Sequence, residues 1–182
     1  MAMDRDQVLR SAAALLSRKS TATMDEVARA AGIGRATLHR HFAGRDALVR
    51  ALEELGIHAF EVAFDNARLD EGTAVDALRR LVAEAEPNAQ LLAFLVTENQ
   101  LFEGDQVNEG WARLDARVSA LFRRGQQEGD IRIDLSTAWL TEALYGLIGA
   151  CAWAVVDGRV AAKDFQYMII ELLLGGARRS VE

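Results

Sequence analysis

A chain of 182 residues, 51% of them hydrophobic, has ample material for a core, whether as one domain or as two small ones. Its single cysteine, Cys151, excludes an internal disulfide and a multi-cysteine zinc site. The net charge of −6 is divided unevenly: residues 1–50 carry nine Lys and Arg against five Asp and Glu, while residues 51–182 carry twelve against twenty-two, which predicts a basic head that meets a polyanion and an acidic body that does not.

The elements follow in chain order. One proline, no alternating apolar and polar run, and an abundance of Ala, Leu, Arg and Glu predict an all-α fold. The opening MAMDRDQVLR is charged and lacks the apolar centre of a signal peptide. A first helix is expected from about Asp4 to Arg18, with Asp4 and Gln7 spaced as a capping box and Val8, Ala12, Leu15 and Leu16 on one face. The second follows Thr23, whose capping partner is Glu26, and stops at Gly32. The third runs from about Gly34 to Phe42. The fourth starts at Gly44 and extends towards Asn66. Further helices are expected at about 73–85, 88–103, 106–128, 135–157 and 162–178, broken at Pro87, Gly104, Gly129 and Asp157-Gly158. The longest apolar run, residues 144–156, is shorter than the ~20 residues that cross a bilayer, so the expectation is a cytoplasmic protein without a membrane partner.

The second and third helices are joined by Ala31-Gly32-Ile33-Gly34, a connection of helix-turn-helix length. On the third helix Leu38 and Phe42 are four residues apart and face inward. At about 100° per residue, Ala36 and Arg40 fall on the opposite side, flanked by Thr37 and His39. That outward face is small, basic and rich in donors, as a major groove requires of a helix that enters it. The fourth helix begins at Gly44-Arg45, where free backbone N–H groups and a guanidinium suit a phosphate. Arg35, Thr37, His39, Arg40, His41 and Arg45 are the candidate DNA contacts. His39 and His41 point to different sides of the helix and do not make a metal pair, and no metal or other cofactor is expected.

These residues carry a resemblance. Val8-Leu9, Ala12, Leu15-Leu16, TMDEVARAAGI and RATLHRHFAGRDAL, within residues 8–52, resemble the DNA-binding head of the TetR family of bacterial transcriptional regulators. The chain departs from that pattern in places. KSTAT, residues 19–23, lacks the Gly-aromatic pair between helices one and two. His39 stands where Tyr is common, His41 where Tyr or His is common, Gly34 where Ser is common, and Ala43-Gly44 where Pro-Ser is common.

The resemblance implies a homodimer formed by the last two long helices and a body that takes a small-molecule effector. The sequence agrees on the first point. The helix at 135–157 is apolar nearly all round, and the last helix carries Met168, Ile169, Ile170, Leu172, Leu173 and Leu174, so a second chain is the natural cover. A two-fold dimer also suits a palindromic operator with recognition helices about 34–36 Å apart. Candidate effector contacts are Phe94, Glu98, Phe102, Trp111, Trp139 and Tyr145. A buried Glu98 would favour a cationic or hydrogen-bonding ligand. No Ser-His-Asp spacing, phosphate loop or metal cluster suggests an enzyme, and Cys151 reads as a buried structural thiol. The expected function is a ligand-released repressor; the alternative is a helical regulator controlled by a protein partner instead of a small molecule.

Overall fold

The computed structural model describes residues 4–97 and 109–177. Glu98 and Phe102 lie outside the described residues, as do the predicted helical stretches 98–103 and 106–108. Among the described residues the chain is all-α, as the composition predicts. The helices are α1 (Arg5–Arg18), α2 (Met24–Ala30), α3 (Arg35–His41), α4 (Arg45–Asn66), α5 (Ala74–Ala85), α6 (Ala89–Thr97), α7 (Glu109–Glu128), α8 (Thr137–Val156) and α9 (Phe165–Ala177). The last two begin later than the expected 135 and 162. Ser136 caps α8 by accepting from the Trp139 amide, and a single 3₁₀ turn at Ala162–Asp164 precedes α9.

Local rules explain the ends. Asp4 caps α1, but its carboxylate accepts from the Asp6 amide at 3.1 Å and not in a reciprocal box with Gln7. The box at α2 is complete: the Thr23 hydroxyl accepts from the Glu26 amide at 3.3 Å, and the Glu26 carboxylate accepts from the Thr23 amide at 2.8 Å. Gly32 closes α2 at φ +67°, with the Ile33 amide donating to the Ala28 carbonyl and the Gly32 amide to that of Arg29. That is the Schellman pattern, which needs a left-handed residue where glycine has no Cβ penalty.

Two hydrophobic cores form, and α4 and α6 belong to both. The first holds Leu9, Leu16, Val27, Leu38, Phe42, Leu48 and Leu52, together with Leu91, Phe94 and Leu95 from α6. The second holds Phe60 and Phe64 from α4, Leu92 and Ala93 from α6, and the inner faces of α5, α7, α8 and α9. Gly56 lets α4 and α6 meet: a Cβ there would lie 2.4 Å from Leu95 Cδ1. The far half of α4 is also tied to α7, through Glu61 to Arg113 and Asp65 to Arg117, each at 2.8 Å. The Arg117 guanidinium stacks over the Phe64 ring at 5.3 Å. By length and composition α8 could cross a membrane, but here it packs between α6, α7 and α9.

Gly125 on α7 marks a tight spot in the body. A Cβ there would sit 2.6 Å from Ile131 Cδ1, 2.9 Å from its Cγ1 and 3.1 Å from the Ala74 methyl. Ile131 is fully buried and β-branched, so it has little room to yield. Gly125→Ala is expected to destabilise the protein by about 1–2 kcal/mol despite the better helix propensity of alanine, read as a lower urea midpoint at unchanged m.

Candidate nucleic-acid interface

The interface is built on α3. Leu38 and Phe42 are buried, at 0% and 1% exposure, and lock the helix onto α1, α2 and α4. With that side fixed, Arg35, Ala36, His39, Arg40 and His41 are exposed and Thr37 is half-buried. Basic and hydrogen-bonding groups thus lie open along one short helix. Gly34 caps α3 without a side-chain hydrogen bond.

Arg45 is placed differently from the other five. It is half-buried, and its Nη1 donates to the Ala22 carbonyl at 3.4 Å, fastening the start of α4 to the α1–α2 connection. Two further residues bear on the face without having been candidates. Arg5 places its guanidinium 5.4 Å from the centre of the Phe42 ring. Asp25 on α2 pairs with Arg35: Nη1 donates to Oδ2 at 3.1 Å, and Nε lies 3.0 Å from Oδ1. Sequence spacing gives no sign of either contact, since each joins residues of different helices.

The body candidates do not converge. Phe94 is buried in the first core, against the head, and not on a body cavity. Trp139 is 61% exposed on the outer side of α8. Trp111 is half-buried and touches both cores, and Tyr145 packs against the second. The Tyr145 hydroxyl is buried and closes no hydrogen bond, although Asp115 on α7 faces it. Burial, and then the Asp115 charge, push the Tyr145 phenol above its ordinary range. Burial likewise raises the Asp115 carboxyl, with Tyr145 opposing. Nearby, Ser119 and Thr141 share a hydrogen bond of 3.3 Å between α7 and α8. Cys151 is buried, as expected of a structural thiol, with its sulfur 3.8 Å from the Phe165 carbonyl oxygen. Among the described residues no group of His, Cys, Asp and Glu is arranged to hold a metal.

Known proteins share this architecture. The family model of bacterial regulatory proteins of the tetR family matches residues 8–52. The HTH-type transcriptional regulator NfxB of Pseudomonas aeruginosa is 32% identical over 174 residues, spanning 94% of this chain and 93% of that protein. The HTH-type transcriptional repressor LfrR of Mycolicibacterium smegmatis is 26% identical over 154 residues, 85% of this chain and 80% of LfrR. A crystal structure of LfrR in complex with proflavine superposes with a TM-score of 0.73 at 26% identity, covering 94% of each chain. The ketosteroid transcriptional regulator KstR2 of Mycobacterium tuberculosis, at 18% identity, shares the fold with a TM-score of 0.70, covering 99% of this chain and 98% of its own.

The cap that positions α2 has a pH signature. The Lys19 ammonium, bonded to Glu26 at 2.7 Å, and then the Thr23 amide hold the Glu26 carboxyl down at about 2 from an ordinary 4.5. The folded form therefore binds this proton more weakly than the unfolded form. The contribution is complete above pH 4.5 and is lost as pH falls towards 2. Glu26→Gln removes a proton-linked term, so its stability falls less steeply than the wild type's over that acid range, measured by urea unfolding at stepped pH.

Proposed function

Because the chain belongs to the TetR family of bacterial regulatory proteins, we propose that it is a dimeric repressor which binds a palindromic operator and releases it on taking a small molecule. Its relatives NfxB and LfrR are transcriptional regulators, and this chain is one also. The single observation that carries the reading is α3, whose apolar side is wholly buried while its basic, donor-bearing side is open. Arg35, Thr37, His39 and Arg40 are the base-edge and phosphate contacts of this reading, with His41 at the rim. Arg45 orders the start of α4 beside the backbone. Such work places the protein in the cytoplasm, where the chromosome is.

Dimerisation in this reading uses the outer sides of α8 and α9. Trp139, Tyr167, Met168 and Leu172 are 61%, 65%, 46% and 66% exposed. Between them α8 presents Ala143, Gly146 and Ala150, small residues at helical spacing; a Cβ at Gly146 would meet nothing within 4 Å. Large apolar side chains clustered in the open mark an interface. A second copy of the chain is the occupant that a two-fold operator calls for.

The effector is taken by the helical body in this reading, where Asp115 on α7 faces the buried Tyr145 hydroxyl of α8. LfrR, the structural neighbour, is seen in complex with proflavine. A ligand acts only through its difference in affinity for the DNA-binding and released states. The α4–α6 contact is the mechanical link, since both helices lie in both cores.

Fluorescence anisotropy on genomic fragments from the source organism tests the reading. Tight binding to one fragment is expected, with affinity falling steeply as salt rises. Arg40→Ala is expected to weaken it by roughly tenfold or more. Uniform binding to all fragments contradicts the reading. Leu172→Glu places a carboxylate in the proposed dimer face. Analytical ultracentrifugation is expected to show a dimer for the wild type and a folded monomer for the variant.

A further inference from the structure

The proposed DNA-reading face contains one acidic partner. Asp25 is the second residue of α2, and Arg35 is the first of α3. Their contact spans the turn of the helix-turn-helix. Both side chains are largely open, with 69% exposure for Arg35 and 48% for Asp25. An exposed ion pair of this kind adds little to stability, so stability is a poor reason for a carboxylate on a surface that meets phosphates. The geometry supplies a better one. A free arginine at the end of a helix samples many rotamers, and ordering it on contact costs side-chain entropy. Here one hydrogen bond, Nη1 to Oδ2, with Nε 3.0 Å from Oδ1, ties the guanidinium to the carboxylate across the turn and narrows the range it samples. Nη2 has no partner among the described residues. Asp25 is itself held, because the capping box at Thr23 and Glu26 sets the first turn of α2.

We propose that Asp25 is a positioning residue for DNA recognition: it orients the Arg35 guanidinium on the open face of α3 so that Nη2 is presented to a base edge. The proposal rests on the reading of α3 as the operator-binding helix. It has a consequence that plain electrostatics does not share. Removing the carboxylate raises the local positive charge, so binding to any duplex strengthens and depends more steeply on salt. The released arginine then serves any phosphate within reach, and the advantage of the operator shrinks.

The full-length protein tests this with two duplexes, the fragment captured from genomic DNA and a scrambled duplex of equal length and composition. Wild type, Asp25→Asn, Arg35→Ala and the double variant are compared by anisotropy at several salt concentrations. Asp25→Asn is expected to narrow the operator-to-scrambled affinity ratio about tenfold, the scale of one lost base contact. The same variant should steepen the salt dependence by about one unit of log–log slope on the scrambled duplex. Arg35→Ala narrows the ratio as far, and the double variant no further. Asp25→Asn is isosteric, and Arg35→Ala reaches the pair from its other member, so the outcome does not depend on one variant folding. The proposal is overturned if Asp25→Asn shifts both duplexes by the same factor, or if it narrows the ratio equally in the Arg35→Ala background. A wild type that prefers no fragment overturns the operator reading itself. A wild type that prefers one, with an unchanged ratio in Asp25→Asn, overturns only the role of Asp25.

Discussion

One helix, α4, is buried in two cores at once, and the rest of the molecule is arranged around that constraint. Leu48 and Leu52 close the head, while Phe60 and Phe64, two to four turns later, anchor the body. At 1.5 Å per residue the 22-residue helix is about 33 Å long, enough to reach from one core into the other without a break. Gly56 sits near its middle and brings α6 against it; a larger residue there would meet Leu95. Beyond that crossing, Glu61 and Asp65 are tied to α7. The same helix therefore joins the packing of α7 to that of the helix-turn-helix.

Charge is organised on the same plan. The body carries the excess of carboxylates and the head the excess of cations, so the fold keeps the two apart while the net charge stays at −6. That division of charge favours a head-first approach to a polyanion. The body's repulsion discourages side-on encounters. Beside the α2–α3 turn two carboxylates are held in local contacts: Glu26 caps α2 and bonds Lys19, and Asp25 is bound to Arg35. The face offered outward remains basic.

Much of this was legible in the residues. Thr23 with Glu26, and Gly32 as a stop, fix the ends of α2 by local rules that the chain obeys in place. Leu38 and Phe42, four apart, set which side of α3 is hidden, and with it the open face. The body was harder to read, because a helix rich in apolar residues does not declare which core it serves. Phe94 went to the head and Trp139 to the outside, although both lie on apolar helices, and only the crossing of α6 over α4 decides the first. The Asp4 cap chose the Asp6 amide over a box with Gln7, a choice between neighbours that spacing leaves open. Contacts between helices distant in sequence, Asp25 with Arg35 or Arg45 with the Ala22 carbonyl, have no periodic signature at all.

The two sides of α6 carry different obligations. Leu91, Phe94 and Leu95 complete the head, and Ala89, Leu92 and Ala93 line the body. Substitutions that reshape the body for new chemistry can be admitted on the second set at the cost of local repacking. The same substitutions on the first set would loosen the helix-turn-helix from beneath. The head-facing stripe of α6 is thus tied to the packing of the helix-turn-helix, while its other stripe answers only to the packing of the body.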